Sequence, residues 1–493
     1  MSTIKIQNLN FTHEGAYAPL FENLCLQFDT GWKIGLIGRN GRGKTTLIDL
    51  IAGKYEFGGT ITANTAFSRF PFPVRDPALP ARAVFDETAP DAEEWEILRE
   101  LSLLDVDEQA LSRPFTQLSG GERTKLLLAA LFRSDGGFLL IDEPTNHLDL
   151  EGRETVSAYL KRKKGFLLVS HDRAFLDGCV DHILAINKTD AELRSGNFSS
   201  WFEAFEKQQT AEAAQNERLK KDIARLSESA KRTSAWANRA EAAKNGGKLD
   251  SGLKPDKGYV SHKAAKMMKH AKTVKARQQE EIRQKSELLK NTETAEKLKF
   301  APLTFRAEKL LSVRDLEIRY GPRTGCKPVT FEALRGERIA LEGKNGCGKS
   351  SVLKLITGED IPHLGTALLA SGLTVSYVPQ TASPCGRIAD FARENAVDEN
   401  LLRSILNKLG FTKKDFGEDI ASYSEGQKKK ILLAKSLCEQ AHLYVWDEPL
   451  NYLDLYSRLQ IERLLQDYRP TMIFVEHDRA FREAVATKTV FMP

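Results

Sequence analysis

Four short blocks occur twice in this chain of 493 residues, in the same order and at almost the same separation. Gly38-Arg39-Asn40-Gly41-Arg42-Gly43-Lys44-Thr45 returns as Gly343-Lys344-Asn345-Gly346-Cys347-Gly348-Lys349-Ser350, an offset of 305. Ser119 returns as Ser424, and Asp142-Glu143-Pro144 as Asp447-Glu448-Pro449, both again at 305. His171-Asp172-Arg173 returns as His477-Asp478-Arg479, at 306. A period held through four blocks marks a duplicated unit, and the length exceeds what one hydrophobic core serves. The chain therefore divides into a first domain over residues 1–202, a connecting segment over 203–302 and a second domain over 303–493.

Within each domain, short apolar runs alternate with loops and helix-like stretches. Ile34–Ile37, Phe138–Ile141 and Phe166–Val169 are apolar throughout, as strands buried on both faces of a parallel sheet must be. Alternating runs such as Ile4-Lys5-Ile6 and Val313-Arg314-Asp315-Leu316 open the two domains. The expected class is α/β, two tandem domains with a mainly parallel sheet and a helical subdomain in each.

The repeated blocks carry phosphate chemistry. Each glycine-rich block follows a strand-like run and opens a helix. Gly38, Gly41 and Gly43, like Gly343, Gly346 and Gly348, let backbone N–H groups wrap phosphates at a helix N-terminus, with Asn40 and Asn345 inside the loops. Lys44 and Lys349 would reach the β- and γ-phosphates of ATP, and the hydroxyls of Thr45 and Ser350 would ligate Mg²⁺, with Thr46 and Ser351 next in the cradle. Asp142 and Asp447 end apolar strands, where the Mg²⁺-holding carboxylate belongs. Glu143 and Glu448 follow as the bases that orient or deprotonate the attacking water, and His171 and His477 as γ-phosphate contacts.

Leu118-Ser119-Gly120-Gly121-Glu122 resembles the signature sequence of the ATP-binding-cassette (ABC) ATPases, and Asn146-His147-Leu148-Asp149 and Asn451-Tyr452-Leu453-Asp454 resemble their D-loops. The resemblance implies two nucleotide sites, each shared between the domains in head-to-tail arrangement. Site one would set Lys44, Asp142 and Glu143 opposite Ser424, Gly426 and Gln427. Site two would set Lys349, Asp447 and Glu448 opposite Ser119, Gly120 and Gly121. Gln380 resembles the Q-loop glutamine, implied to touch nucleotide and metal, and Tyr320 stands where the family stacks an aromatic ring on adenine, as His13 does less closely in the first domain. Three departures break the symmetry: Phe72 where the first Q-loop glutamine is expected, Glu425 in place of a signature glycine, and Tyr452 in place of the D-loop histidine.

The segment between the domains has a different character. Leu219, Ile223, Leu226 and Ala230 step as one seam of a long helix from about Trp201 to Ala243. A glycine-rich break follows, and a second helical stretch is expected over 261–289, so the segment reads as a helical hairpin with its tip at about 245–260. Residues 231–280 hold 13 Lys and Arg against 4 Asp and Glu, in a chain whose net charge is only +5. A basic block between acidic flanks calls for a polyanionic partner. Arg239, Lys244, Lys248, Lys254, Lys257, Lys263 and Lys266 surround the tip, with Trp236, Tyr259 and Met267 among them. Basic and stacking side chains together suit folded RNA, although each apolar one could equally be hairpin core.

Two cassettes joined by a long basic linker resemble the ABC-F family, and the antibiotic-resistance members of the Lsa type most closely. No arm is inserted in the first cassette: Phe72 and Ser119 lie 47 residues apart, against 44 for Gln380 and Ser424. The chain also stops soon after His477, without the C-terminal extension of some members. The resemblance implies a monomeric ATPase with its two domains paired. It would bind the ribosome exit site with ATP and contact large-subunit RNA and peptidyl-tRNA through its linker. It would protect the peptidyl transferase centre from lincosamides, pleuromutilins and streptogramin A, hydrolysis driving release.

The alternatives are a housekeeping translation regulator of the same family and, less well matched, the ATPase subunit of a transporter. An SMC-type chromosome ATPase matches less well still, because its coiled coil would separate motifs that each domain here holds complete. No run of 18 apolar residues is present, and the first residues lack the apolar core of a signal peptide. Six cysteines without a C-x-x-C spacing fit reduced thiols and a cytoplasmic location, with no membrane partner.

Overall fold

The computed structural model describes residues 2–15, 19–134, 137–146, 148–187, 191–245, 298, 300–320 and 323–492, with scattered positions between 266 and 283. The chain forms two compact units: Met1–Trp201 with Ala295–Pro493, and Phe202–Thr294. The first unit holds both repeats. Its boundary falls at Thr294/Ala295 rather than at 302, because Leu298 and Phe300 are buried in the core of the second repeat and Phe300 packs edge-on to Tyr444 at 4.9 Å.

In the first repeat, Phe67–Phe70, Phe138–Asp142, Phe166–Val169, Lys33–Gly38 and His182–Ile186 lie side by side in parallel, and Ala191–Ser195 closes the edge antiparallel. The second repeat sets Val375–Val378, Leu443–Asp447, Met472–Val475, Arg338–Glu342 and Lys488–Phe491 in the same order, all parallel. Every residue of Phe166–Val169 and Met472–Val475 is buried, as the unbroken apolar runs require. The phosphate loops, the acids and the histidines all follow the C-terminal ends of these strands, where ligands of open α/β sheets bind.

A three-stranded antiparallel sheet covers each core, Phe21–Asp29, Thr3–Phe11 and Gly58–Thr62 in the first repeat. Thr3–Phe11 buries Ile4, Ile6, Leu9 and Phe11, so its alternation skips a residue after Ile6. The bulge there places Asn8 at φ 50°, a left-handed conformation that asparagine tolerates better than most residues.

The helical subdomains precede and include the signature helices. Glu399–Lys408 shows how the sequence builds one. Asp398 caps it, its carboxylate accepting the Leu401 N–H at 2.7 Å, and Glu399 and Lys408 complement the dipole at either end. Leu402, Ile405 and Leu406 make one buried stripe, each contributing about 1.5–3 kcal/mol on burial.

The second unit contains most of the helix Phe198–Asn245, 48 residues or about 72 Å of rise. Asn197 caps it through the Ser200 N–H at 3.1 Å, which starts it three residues earlier than the Pro- and Gly-free run suggested. Leu219, Ile223 and Leu226 are half-buried along the expected seam. Lys266 is helical and exposed. The side chains of Trp236, Arg239 and Lys244, the tip with Lys248, Lys254, Lys257, Tyr259 and Lys263, and most of the second stretch lie outside the described residues. Among the described residues, no helix is long and apolar enough to cross a membrane.

Candidate active sites

The two phosphate loops share one local geometry. Gly43 and Gly348 cap the following helices in the left-handed region, at φ 85° and 89°. A Cβ on Gly43 would come within 2.8 Å of both Leu20 and Phe21, so glycine is required there by backbone and by space. Lys44 donates to the Gly38 carbonyl at 2.9 Å, and Lys349 to the Gly343 and Lys344 carbonyls at 2.7 and 2.8 Å. Burial holds the Lys44 ammonium below its usual pKa despite the carboxylates around it. His13 reaches the Thr46 hydroxyl at 3.3 Å and packs edge-on to Phe11. Tyr320 ends the strand Lys309–Tyr320, and its side chain lies outside the described residues.

The acids stand where the strands deliver them. Glu143 and Glu448 both adopt left-handed backbone, φ 47° and 46°, strain of about 1–3 kcal/mol apiece of the kind kept at functional positions. Each is pinned by its N–H, which donates to Val169 or Val475 at 2.9 Å. His171 Nε2 lies 3.3 Å from Glu143, and His477 Nε2 3.5 Å from Glu448. Burial, reinforced by the cations Lys44 and Arg458, keeps His171 well below its ordinary pKa and therefore neutral.

The donor sets suit a hard divalent cation. Asp142 faces the Thr45 hydroxyl and Asp447 the Ser350 hydroxyl, and both carboxylate oxygens of Asp447 are buried without a hydrogen-bond partner. Hydroxyl and carboxylate oxygens are what Mg²⁺ takes. Burial pushes Asp447 up to about 6.

Each site is completed by the other repeat. In site one, Asn40 donates to the Tyr452 carbonyl at 3.0 Å, Arg39 lies over the Tyr456 ring, and Gly426 sits against Asn40. In site two, a cavity of about 560 Å³ has Gly120, Asn146 and Leu148 as one wall. Asn345, Gly346, Lys349, Ser350, Gln380, Glu448 and His477 line the rest. That volume is ordinary for a small-molecule site. Lys344 pairs with Glu151 across the same boundary at 3.1 Å.

Ser119 and Ser424 act first as helix caps. Each accepts an N–H from the third residue on, Glu122 or Gln427, whose side chain returns the bond to the serine N–H. This capping box explains the residue types at 122 and 427. Glu425 is the first residue of its helix, exposed and paired with Lys428 at 3.0 Å, so its carboxylate is accommodated by the helix dipole. His147 lies outside the described residues.

The sites differ electrostatically. Burial would raise Glu448, yet hydrogen bonds from His477 and Gln380 bring it down to about 2. Glu143 is pushed up to about 7, by burial and then by Asp142. The residue aligned with Gln380 by strand register is Phe72, whose ring offers no N–H. One Glu143 oxygen is buried without a hydrogen-bond partner.

Sequence reasoning missed several residues. Arg153 bridges the buried Asp172 at 2.8 Å and donates to the Leu148 carbonyl at 3.1 Å. Arg458 repeats this with Asp478 at 3.2 Å and the Leu453 carbonyl at 3.1 Å. These arginines tie each D-loop to the segment carrying the histidine, and their own offset of 305 was the available signal. Arg69 pairs with Asp49 and approaches Asp142 at 3.8 Å. Its counterpart in the second repeat is Tyr377, so no repeat marked it.

The sequence profile described as "ABC transporter" matches residues 21–146 and 326–451. The ATP-binding protein Uup of Caulobacter vibrioides is 29% identical over 96% of this chain and 74% of its own length. The ribosome protection protein VmlR of Bacillus subtilis is also 29% identical, over 96% of this chain and 84% of its own. Among solved structures, the archaeal ribosome recycling factor aABCE1, crystallised with the stalk protein aP1, superposes with a TM-score of 0.63. It is 18% identical, over 98% of this chain and 87% of that one, a likeness of fold.

Proposed function

Because the chain belongs to the ABC family of ATPases, and within it to the ABC-F type, we propose that it binds the ribosome in its ATP-bound form and protects the peptidyl transferase centre from antibiotics. Lys44 and Lys349 would draw the β- and γ-phosphates into the loops, with Ser424, Gly426 and Gln427, or Ser119, Gly120 and Gly121, closing over them. Mg²⁺ held by Thr45 and Asp142, or by Ser350, Asp447 and Gln380, would neutralise charge on the transferring phosphoryl group. Glu143 and Glu448 orient the attacking water and take its proton, while neutral His171 and its counterpart His477 contact the γ-phosphate.

Nucleotide bound between the repeats favours their closed pairing, and hydrolysis removes that bias. The closed form would occupy the exit site in the cytoplasm. The basic tip near Lys244–Tyr259 would meet ribosomal RNA and displace the end of peptidyl-tRNA, excluding lincosamides, pleuromutilins or streptogramin A. One observation carries the reading. The nearly full-length match to a protein named for ribosome protection coincides with a basic linker between two ATP sites that each need both repeats.

Replacing Glu143 and Glu448 with Gln should trap the protein on ribosomes in ATP, and failure of that variant to co-sediment refutes ribosome binding. Deleting 245–258 should abolish drug protection while sparing co-sedimentation, and unchanged drug susceptibility contradicts the role of the tip. A translation regulator without a resistance role is the second reading, favoured by the equal identity to Uup, whose name carries no such role. A drug panel on cells with and without the gene separates the two.

A further inference from the structure

Lys429 lies one turn into the second signature helix, Glu425–Cys438, and is only 4% exposed. Its ammonium points away from that helix's own backbone. It donates to three carbonyls: Pro379 at 2.9 Å, Gln380 at 3.2 Å and Asp447 at 3.1 Å. A lysine ammonium has three N–H donors, and all three are used. Two of the acceptors belong to the loop that presents Gln380. The third ends the strand that presents Asp447 and Glu448.

A cation buried among carbonyls is costly unless every donor is satisfied, and an apolar side chain would fill the space more cheaply. The first repeat shows the alternative. Thr124 occupies the matching position there and is also buried, with a side chain too short to bridge loop and strand. Phe72 is the residue at the end of that loop. The lysine and the glutamine whose loop it grips thus occur together in site two and are both missing from site one.

We propose that Lys429 is a positioning residue for ATP hydrolysis at site two, clamping the loop of Gln380 to the strand of Glu448 so that the glutamine amide stays against the catalytic carboxylate. Its donors are spent on backbone carbonyls, so it acts through the two residues it holds in register. The inference rests on the assignment of Glu448 as the base of site two.

The test uses the full chain in two backgrounds, Glu143→Gln, which leaves site two to hydrolyse, and Glu448→Gln, which leaves site one. In the Glu143→Gln background, Lys429→Thr and Lys429→Met should lower kcat by about 10–100-fold, the usual cost of losing an outer-shell partner. KM and the affinity for a fluorescent ATP analogue should change less than about threefold, and Lys429→Arg should restore part of kcat. A KM effect with kcat intact, an unchanged kcat, or an equal loss in both backgrounds overturns the proposal. If the Thr and Met variants fail to fold, Lys429→Arg decides alone: it must lower kcat at site two without matching loss at site one. Failure of the underlying assignment looks different, because the Glu143→Gln, Glu448→Gln protein would then still hydrolyse ATP with Lys429 intact.

Discussion

Asn40 and Tyr452 stand 412 positions apart in the chain and are joined by a hydrogen bond of 3.0 Å, from the asparagine side-chain amide to the tyrosine backbone carbonyl. It links the phosphate loop of one repeat to the D-loop of the other, where Tyr452 is held at φ 63°. Gly426 closes the same point: a Cβ there would lie 2.5 Å from the Tyr452 carbonyl and 3.1 Å from the Asn40 amide.

Two substitutions should therefore weaken site one by different amounts. Asn40→Ala removes this neutral bond, worth about 0.5–1.5 kcal/mol, together with the 3.3 Å bond that its amide oxygen accepts from Lys44. KM for ATP in the Glu448→Gln background should rise by at least about two- to tenfold. Gly426→Ala places a methyl against a backbone carbonyl and should lower kcat/KM more. Steady-state ATPase assays rank them, and an Asn40→Ala effect larger than the glycine effect contradicts this geometry.

The sites should also differ in acid. Glu143 is raised to about 7, and as the proposed base it must be ionised to act, so hydrolysis by site one should fall as pH drops through 7. Glu448 is held near 2 and stays ionised through this range, so protonation of the proposed base does not limit site two. Rate–pH profiles of the two single-glutamine variants should therefore differ in their acidic limbs, the Glu448→Gln protein losing activity at the higher pH.

Arg153 and Arg458 should be among the least replaceable side chains. Each neutralises a buried aspartate that also caps a helix, Asp172 through the Phe175 N–H and Asp478 through the Phe481 N–H, both at 3.0 Å. Methionine at either position strands a buried charge, at a cost of about 3–5 kcal/mol. Denaturant unfolding measures it, and pairing Arg458→Met with Asp478→Asn should recover part of the loss.

Arg69 distinguishes the first repeat in stability. Among the described residues, Arg69→Met leaves buried Asp49 with the 3.5 Å ion-pair contact from Lys54, and should cost about 2–4 kcal/mol. Tyr377→Met in the second repeat should cost less, since its hydroxyl is buried without a partner. Thermal unfolding of the two variants tests the order.

The fold was legible where one physical rule dominates. Phe166–Val169 could be read as a buried strand because an unbroken apolar run has no polar face to expose. The phosphate loops could be read because glycine, lysine and hydroxyl spacing is set by the shape of a phosphate chain. Legibility ended where an interaction depends on partners distant in sequence. Lys429 spends its donors on backbone carbonyls, which leave no trace in residue identity. The exchange of Gln380 for Phe72 was visible, but the separation of Glu143 from Glu448 depends on burial and on which N–H groups face each carboxylate. The edge at Ala295 was missed because Leu298 and Phe300 are too few to show a period.

On the proposed function, because Asn40 is bonded to Tyr452 and Lys349 faces a wall of Gly120 and Asn146, half of this chain would hold no whole ATP site. Covalent connection turns the meeting of the halves into a first-order event, with an effective concentration set by the tether and not by the amount of protein in solution. An intact chain can thus keep the same turnover per molecule when dilute as when abundant. Two separated halves would obey mass action, each losing activity as its partner is diluted away.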